Sequence, residues 1–275
     1  MNSVTSRSLD LPALRRKADW VWRETLRIHR RSPETRVASA LSCIEILVAL
    51  YYGGLLRYDP TLPRCPDRDR FIASKGHGAI SLYPILADLG FFPTEALTQI
   101  GQPDALLSAI PEPAIPGFET INGSLGHGVG VGCGMALALR RNDPDRRVVV
   151  LVGDGELHEG ANWEAFMLAA HYRLDNLTVI VDNNHISMLG PTDTIISHRS
   201  LTAKLEAFGW AVTQVDGHDL GALLTVLAAA TPGQPRCIVA DTHKGRGVPG
   251  LEDAPLSHVT SIPPAQIDAL LGKAP

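Results

Sequence analysis

Val148 to Val152 form an unbroken apolar run between Arg147 and Gly153, the pattern of a strand covered on both faces. A second such run, Leu177 to Val181, closes on Asp182-Asn183-Asn184, and residues 160–173 between them carry a helical pattern. The same alternation recurs along the chain. Behind Asp10, a residue suited to a helix cap, Leu14, Ala18, Val21, Thr25 and Ile28 return at helical spacing. The spacing predicts a second continuous helix over residues 39–53, stopped by Gly53 or Gly54. A short strand ends in Ser74-Lys75-Gly76-His77-Gly78 and leads into a helical run through Leu82, Leu86 and Leu89. Residues 93–116 are rich in proline and read as loop, and small residues fill a helix over 129–139. Residues 195–208 read as loop and helix, 210–215 as a strand, 222–230 as a helix and 236–242 as a further buried strand. Strand and helix alternating without an internal repeat predict the α/β class, a doubly wound, mostly parallel sheet flanked by helices. The whole chain, 1–275, reads as one domain, with 1–35 as an N-terminal helical extension.

Composition narrows the functions open to such a sheet. A net charge of −4 without a basic run leaves no footprint for nucleic acid. The longest apolar stretches are strand or helix sized, so no membrane span is expected. The first residues lack an apolar signal core, and Cys43, Cys65, Cys133 and Cys237 are dispersed without CxxC spacing. Both features point to a cytoplasmic protein with reduced thiols.

Candidate chemistry sits at the ends of the two central strands. Ligands of open parallel sheets bind beyond the carboxyl ends of strands, so Asp154 and Asn184 are expected to face one crevice. A carboxylate and an amide oxygen suit a hard divalent cation that keeps some coordination for phosphate oxygens. Gly153 and Gly155 would let the backbone approach an anion and offer it N–H groups. By itself, GDG after a strand reads more readily as a tight turn with an Asp cap. His77, flanked by glycines, reads by itself as a loop residue, and His218 in DGHD as part of a capped turn.

In combination these segments resemble the transketolase family. GDGELHEGANWEA (153–165) followed by LDNLTVIVDNNHIS (174–187) is similar to that family's thiamine-diphosphate-binding motif. The likeness continues through SALSCIEILVALY (39–51), DRFIASKGHG (69–78), TINGSLGHG (120–128), THKGRG (242–247) and His258. It implies thiamine diphosphate as cofactor, with Mg2+ or another divalent cation such as Ca2+ or Mn2+ held by Asp154, Asn184 and the backbone carbonyl of Ile186. It implies His77 and His258 as catalytic residues that also contact the diphosphate. Gly123, Ser124 and Leu125 would line the cofactor, with Gly153, Gly155 and Glu156 beside it. An ordinary imidazole pKa near ~6.5 would let His258 shuttle protons near neutrality.

Two departures stand out. Where the family carries the histidine of a GHPG turn, this chain has Glu34-Thr35-Arg36-Val37-Ala38, and where it carries a GHP histidine, Ala109-Ile110-Pro111. The losses imply a less polar or differently shaped donor. The resemblance covers the diphosphate-binding domain only, so the pyrimidine-binding domain and its glutamate are expected on a separately encoded C-terminal transketolase subunit, in an α2β2 assembly. The implied activity is transfer of a two-carbon ketol or acyl unit between small carbonyl substrates. The alternatives are a subunit of a thiamine enzyme that decarboxylates a 2-oxo acid such as pyruvate, and a non-catalytic assembly subunit.

Overall fold

The structure, a computed structural model, describes residues 8–143 and 145–272. Strands β1 (Arg70–Ala73), β2 (Val148–Gly153), β3 (Leu177–Asn183), β4 (Ala211–Asp216) and β5 (Arg236–Asp241) form one sheet in the order β1-β2-β3-β5-β4. Every pairing is parallel. All six residues of β2 are buried, because successive side chains enter different cores on the two faces. Val149, Leu151, Ile180, Ile238 and Ala240 join one apolar cluster, and Val148, Val150, Val152, Val179, Val181 and Val239 the other. Covered faces explain the unbroken apolar runs of the sequence.

Among the described residues, ten α-helices complete the layers. On the first face lie α1 (Leu11–Arg31), α2 (Val37–Leu41), α3 (Ile44–Tyr52) and α4 (Leu82–Leu89). The second is covered by α5 (Gly128–Asn142) and α6 (Gly160–His171). The chain continues through α7 (Thr192–Ile196), α8 (Leu201–Ala207), α9 (Leu220–Ala228) and α10 (Pro264–Gly272); α8 packs with the second core, α9 and α10 with the first. As expected, Asp10 caps α1, its carboxylate accepting the Ala13 N–H at 2.9 Å, and Asp219 caps α9. The segment read as an extension is part of the main core: Leu14, Val21, Leu26 and Ile28 of α1 are fully buried.

One helix differs from its sequence pattern. The run over 39–53 breaks at Ser42-Cys43 into α2 and α3. The Ser39 carbonyl accepts from Lys75 Nζ at 2.9 Å and from Ser42 Oγ at 3.1 Å, and the Ser42 hydroxyl also reaches Asp182 Oδ2 at 2.6 Å. Side-chain donors entering the ladder interrupt it.

His29, fully buried on α1, ties this region to the end of the chain. Its Nε2 accepts the Ile262 N–H at 3.1 Å, which places the proton on Nδ1, 2.9 Å from Thr35 Oγ1. Burial pushes its pKa down to about 4, only partly offset by Glu34. The unfolded chain therefore takes up the proton first, near the ordinary ~6.5. Stability from the neutral imidazole is complete above that pH and is lost as pH falls toward 4. Urea midpoints measured between pH 7 and 4.5 are expected to fall, and to fall less steeply in His29→Gln; parallel profiles would refute this role.

Candidate functional site

Parallel register sets Gly153 of β2 beside Asp182 of β3, so Asp154 and Asn184 leave adjacent strand tips. Asp154 is 2% exposed. Its Oδ1 accepts the Gly155 N–H at 2.8 Å, whereas its Oδ2 is buried without a hydrogen-bond partner among the described residues. Burial raises the pKa of this carboxyl, and the neighbouring Asp182 adds to the rise. Such an oxygen is costly to leave unpaired and suits a cation. Asn184 donates through Nδ2 to Asp182 Oδ2 at 3.2 Å and accepts the Ile186 N–H on Oδ1 at 3.2 Å. The Ile186 carbonyl accepts from Lys244 Nζ at 2.5 Å. A cavity of about 530 Å³ opens here, lined by Asn184, His185, Ile186, Thr242 and His243 among others.

Behind the tips lies a buried ionic network. Asp182 accepts from Lys75 Nζ, Ser42 Oγ, Thr242 Oγ1 and Asn184 Nδ2. Burial disfavours both charges, but the contact outweighs it: the carboxyl is held below, and the Lys75 ammonium above, its ordinary pKa. The network joins α2, the turn after β1, and the tips of β3 and β5 through one carboxylate.

His77 and His258, 181 positions apart (258 − 77) in the sequence, stand with ring centroids 4.9 Å from each other. Ser39 Oγ is 3.4 Å and Lys244 Nζ 3.3 Å from His258 Nδ1. An ammonium only donates, so Nδ1 accepts and Nε2 carries the hydrogen. Burial first, then nearby cations including Lys75, Lys244 and Arg36, push His77 well below its ordinary pKa and His258 down to about 4. The ordinary pKa read for His258 from the sequence is thus corrected: in this state both rings are neutral near pH 7 and offer hydrogen bonds, not charge.

The glycine-rich loop of residues 120–126 rides on the tip of β1. Asn122 Nδ2 bonds the Ala73 carbonyl at 3.1 Å, and a Cβ at Gly76 would meet the Asn122 carbonyl oxygen at 2.4 Å. Gly123 and Ser124 are exposed and Leu125 half-buried. Ile110 stands beside Gly123, its side chain 3.7 Å from where a Cβ would lie. The loop after β2 differs from expectation: the Gly153 N–H goes to Glu156 Oε2 at 3.2 Å and the Gly155 N–H to Asp154, so neither faces outward. Glu156 also accepts from Ser74 Oγ and, at 2.9 Å, from the Gly126 N–H. Its side chain clips loops together and leaves only its backbone for a ligand. Tertiary contact also adds residues that sequence reasoning missed. Lys75 was visible in SKGHG, Lys244 and Thr242 in THKGRG, Ser42 in SALSC and Asp182 as the one charge in β3, while nothing local marked His198, which bonds the Asp154 carbonyl at 2.9 Å.

Comparison with known proteins bears on this geometry. Residues 35–273 match the family model described as transketolase, thiamine diphosphate binding domain. The chain is 38% identical over 254 residues to an apulose-4-phosphate transketolase subunit of Actinobacillus succinogenes, covering 91% of this chain and 92% of that protein. It is 38% identical over 225 residues to the 6-deoxy-6-sulfo-D-fructose transketolase subunit SqwG of a Clostridium species, covering 81% of this chain and 82% of that one. Among solved structures, the transketolase of Leishmania mexicana superposes with a TM-score of 0.85 at 28% identity; the match covers 97% of this chain and 42% of that one. The Campylobacter jejuni transketolase gives 0.84 at 27%, with 95% and 46% covered. The chain thus spans less than half of these solved transketolases.

Proposed function

We propose, from the premise that this chain belongs to the transketolase family as its thiamine diphosphate binding part, that it is the diphosphate-binding subunit of a split enzyme transferring a two-carbon ketol or acyl unit. The observation that carries this reading is the orphaned Asp154 Oδ2 on the strand tip adjacent to the one that carries Asn184, a carboxylate and an amide whose chemistry fits Mg2+, Ca2+ or Mn2+. Asp154, Asn184 and the Ile186 carbonyl would hold the ion. That carbonyl accepts from Lys244 Nζ, whose pKa burial and Lys75 lower to about 8, so Lys244 would stand beside the ion and within the diphosphate's surroundings. His77 and His258 would donate hydrogen bonds to diphosphate or substrate oxygens from neutral rings, and residues 123–125 would flank the cofactor. When bound, the cofactor would supply a nucleophilic carbon and an electron sink for carbon–carbon cleavage.

Two similar proteins, each matched over most of its length, are themselves named as transketolase subunits, which supports a separately encoded pyrimidine-binding partner. We infer an α2β2 assembly and a cytoplasmic setting. Calorimetry of the chain mixed with its partner is expected to show thiamine diphosphate binding that weakens roughly a hundredfold when Mg2+ is chelated. Binding indifferent to the metal would overturn the assignment.

A further inference from the structure

We propose that His198 is a positioning residue for the metal site: it holds the turn that carries Asp154 against the strap that carries Asn184 and Ile186. The inference rests on the thiamine-enzyme reading above and adds a residue to that site. The donors assigned above lie on two segments. One is the turn after β2, with Asp154; the other is the strap that leaves β3, with Asn184 and Ile186 at its start and His198 near its end. The register between β2 and β3 ends at the pair Gly153 and Asp182, short of every donor, so the two segments need ties of their own.

Two histidines tie the segments in both directions. His198 of the strap, 8% exposed, brings its Nε2 to 2.9 Å from the Asp154 carbonyl, and His158 of the turn brings its Nε2 to 2.8 Å from the Ile196 carbonyl of the strap. A carbonyl only accepts, so both rings carry their hydrogen on Nε2. The rings stack with centroids 4.7 Å apart and planes at 28°, and each fixes the plane in which the other donates. This clasp completes the fixing of Asp154. The Asp154 N–H donates to the Asp182 carbonyl at 3.2 Å, its carbonyl also takes the Leu157 N–H at 3.1 Å, and its Oδ1 takes the Gly155 N–H. Oδ2 is left without a partner. Rotation of the peptide after Asp154 would carry that oxygen away, and the bond from His198 opposes the rotation. The clasp has little slack, since a Cβ at Gly155 would stand 3.1 Å from the Ser187 Cβ of the strap. Donors held in place beforehand bind a cation without the cost of ordering them.

Mn2+ serves as the probe, titrated by calorimetry into the full chain mixed with its partner and thiamine diphosphate, with the melting temperature of the metal-free mixture read in parallel. His198→Phe keeps a flat ring against His158 but cannot donate, and is expected to weaken Mn2+ binding about tenfold, within the range for groups that orient metal ligands. His198→Gln, whose amide N–H reaches as far as Nε2, should restore the affinity to within about threefold of the wild type. His198→Asn, one methylene shorter, should not, and this pair carries the comparison even where His198→Phe fails to fold. Wild-type affinity in the Asn variant overturns the assignment. Equal weakening in the Gln and Asn variants overturns it too, because the ring's shape and not its hydrogen bond would then matter. A lowered melting temperature with unchanged Mn2+ affinity would likewise leave His198 a purely structural role. A wild-type mixture that binds thiamine diphosphate without need of metal would sink the functional reading itself, while metal-dependent binding indifferent to all three variants sinks only the role of His198.

Discussion

Asp154→Ala is expected to lose Mg2+-dependent thiamine diphosphate binding, by at least about a hundredfold, together with all cofactor-dependent turnover. The protein should stay folded. The wild-type carboxylate is buried with one oxygen unpaired, so without metal it costs stability, and its removal forfeits little beyond the bond from the Gly155 N–H. Melting temperature separates the two effects. The metal-free variant should melt at or above the wild-type temperature, yet gain nothing when Mg2+ and cofactor are added, whereas the wild type rises by mass action. A variant that responds to both ligands as the wild type does would remove Asp154 from the metal site.

Lys75→Met should destabilise the fold by about 3–5 kcal/mol, because it leaves the Asp182 carboxylate buried without its counter-ion. Ser42, Thr242 and Asn184 still donate to it, but none carries charge. The double variant Lys75→Met/Asp182→Leu removes both charges and should recover most of the loss in urea unfolding. It should not recover metal affinity, since Asp182 orients the Asn184 amide through Nδ2. A double variant as unstable as the single one would show that the pair matters for shape and not for charge.

These two results concern different levels of legibility. Strands β2 and β3 were readable because each core residue is apolar on its own account, whichever face it enters. The glycines, Asp154 and Asn184 were readable as a motif, and the register of two adjacent strands brings their tips together. The break between α2 and α3 was not, because its cause lies in Lys75 and Asp182, 36 and 140 positions from the residues they contact. Nor did GDG disclose that its N–H groups are taken by Asp154 and Glu156.

The chain by itself thus determined the layered α/β architecture, the strand ends that carry chemistry and the family likeness, since these follow from local periodicity and short motifs. Only the tertiary structure decided the depressed pKa of His258, the pairing of Lys75 with Asp182 and the orphaned oxygen of Asp154. Each of those depends on how deeply a group is buried and on which distant charges surround it, and electrostatic energy inside a protein is set by distance in space and by local dielectric, not by position in the sequence.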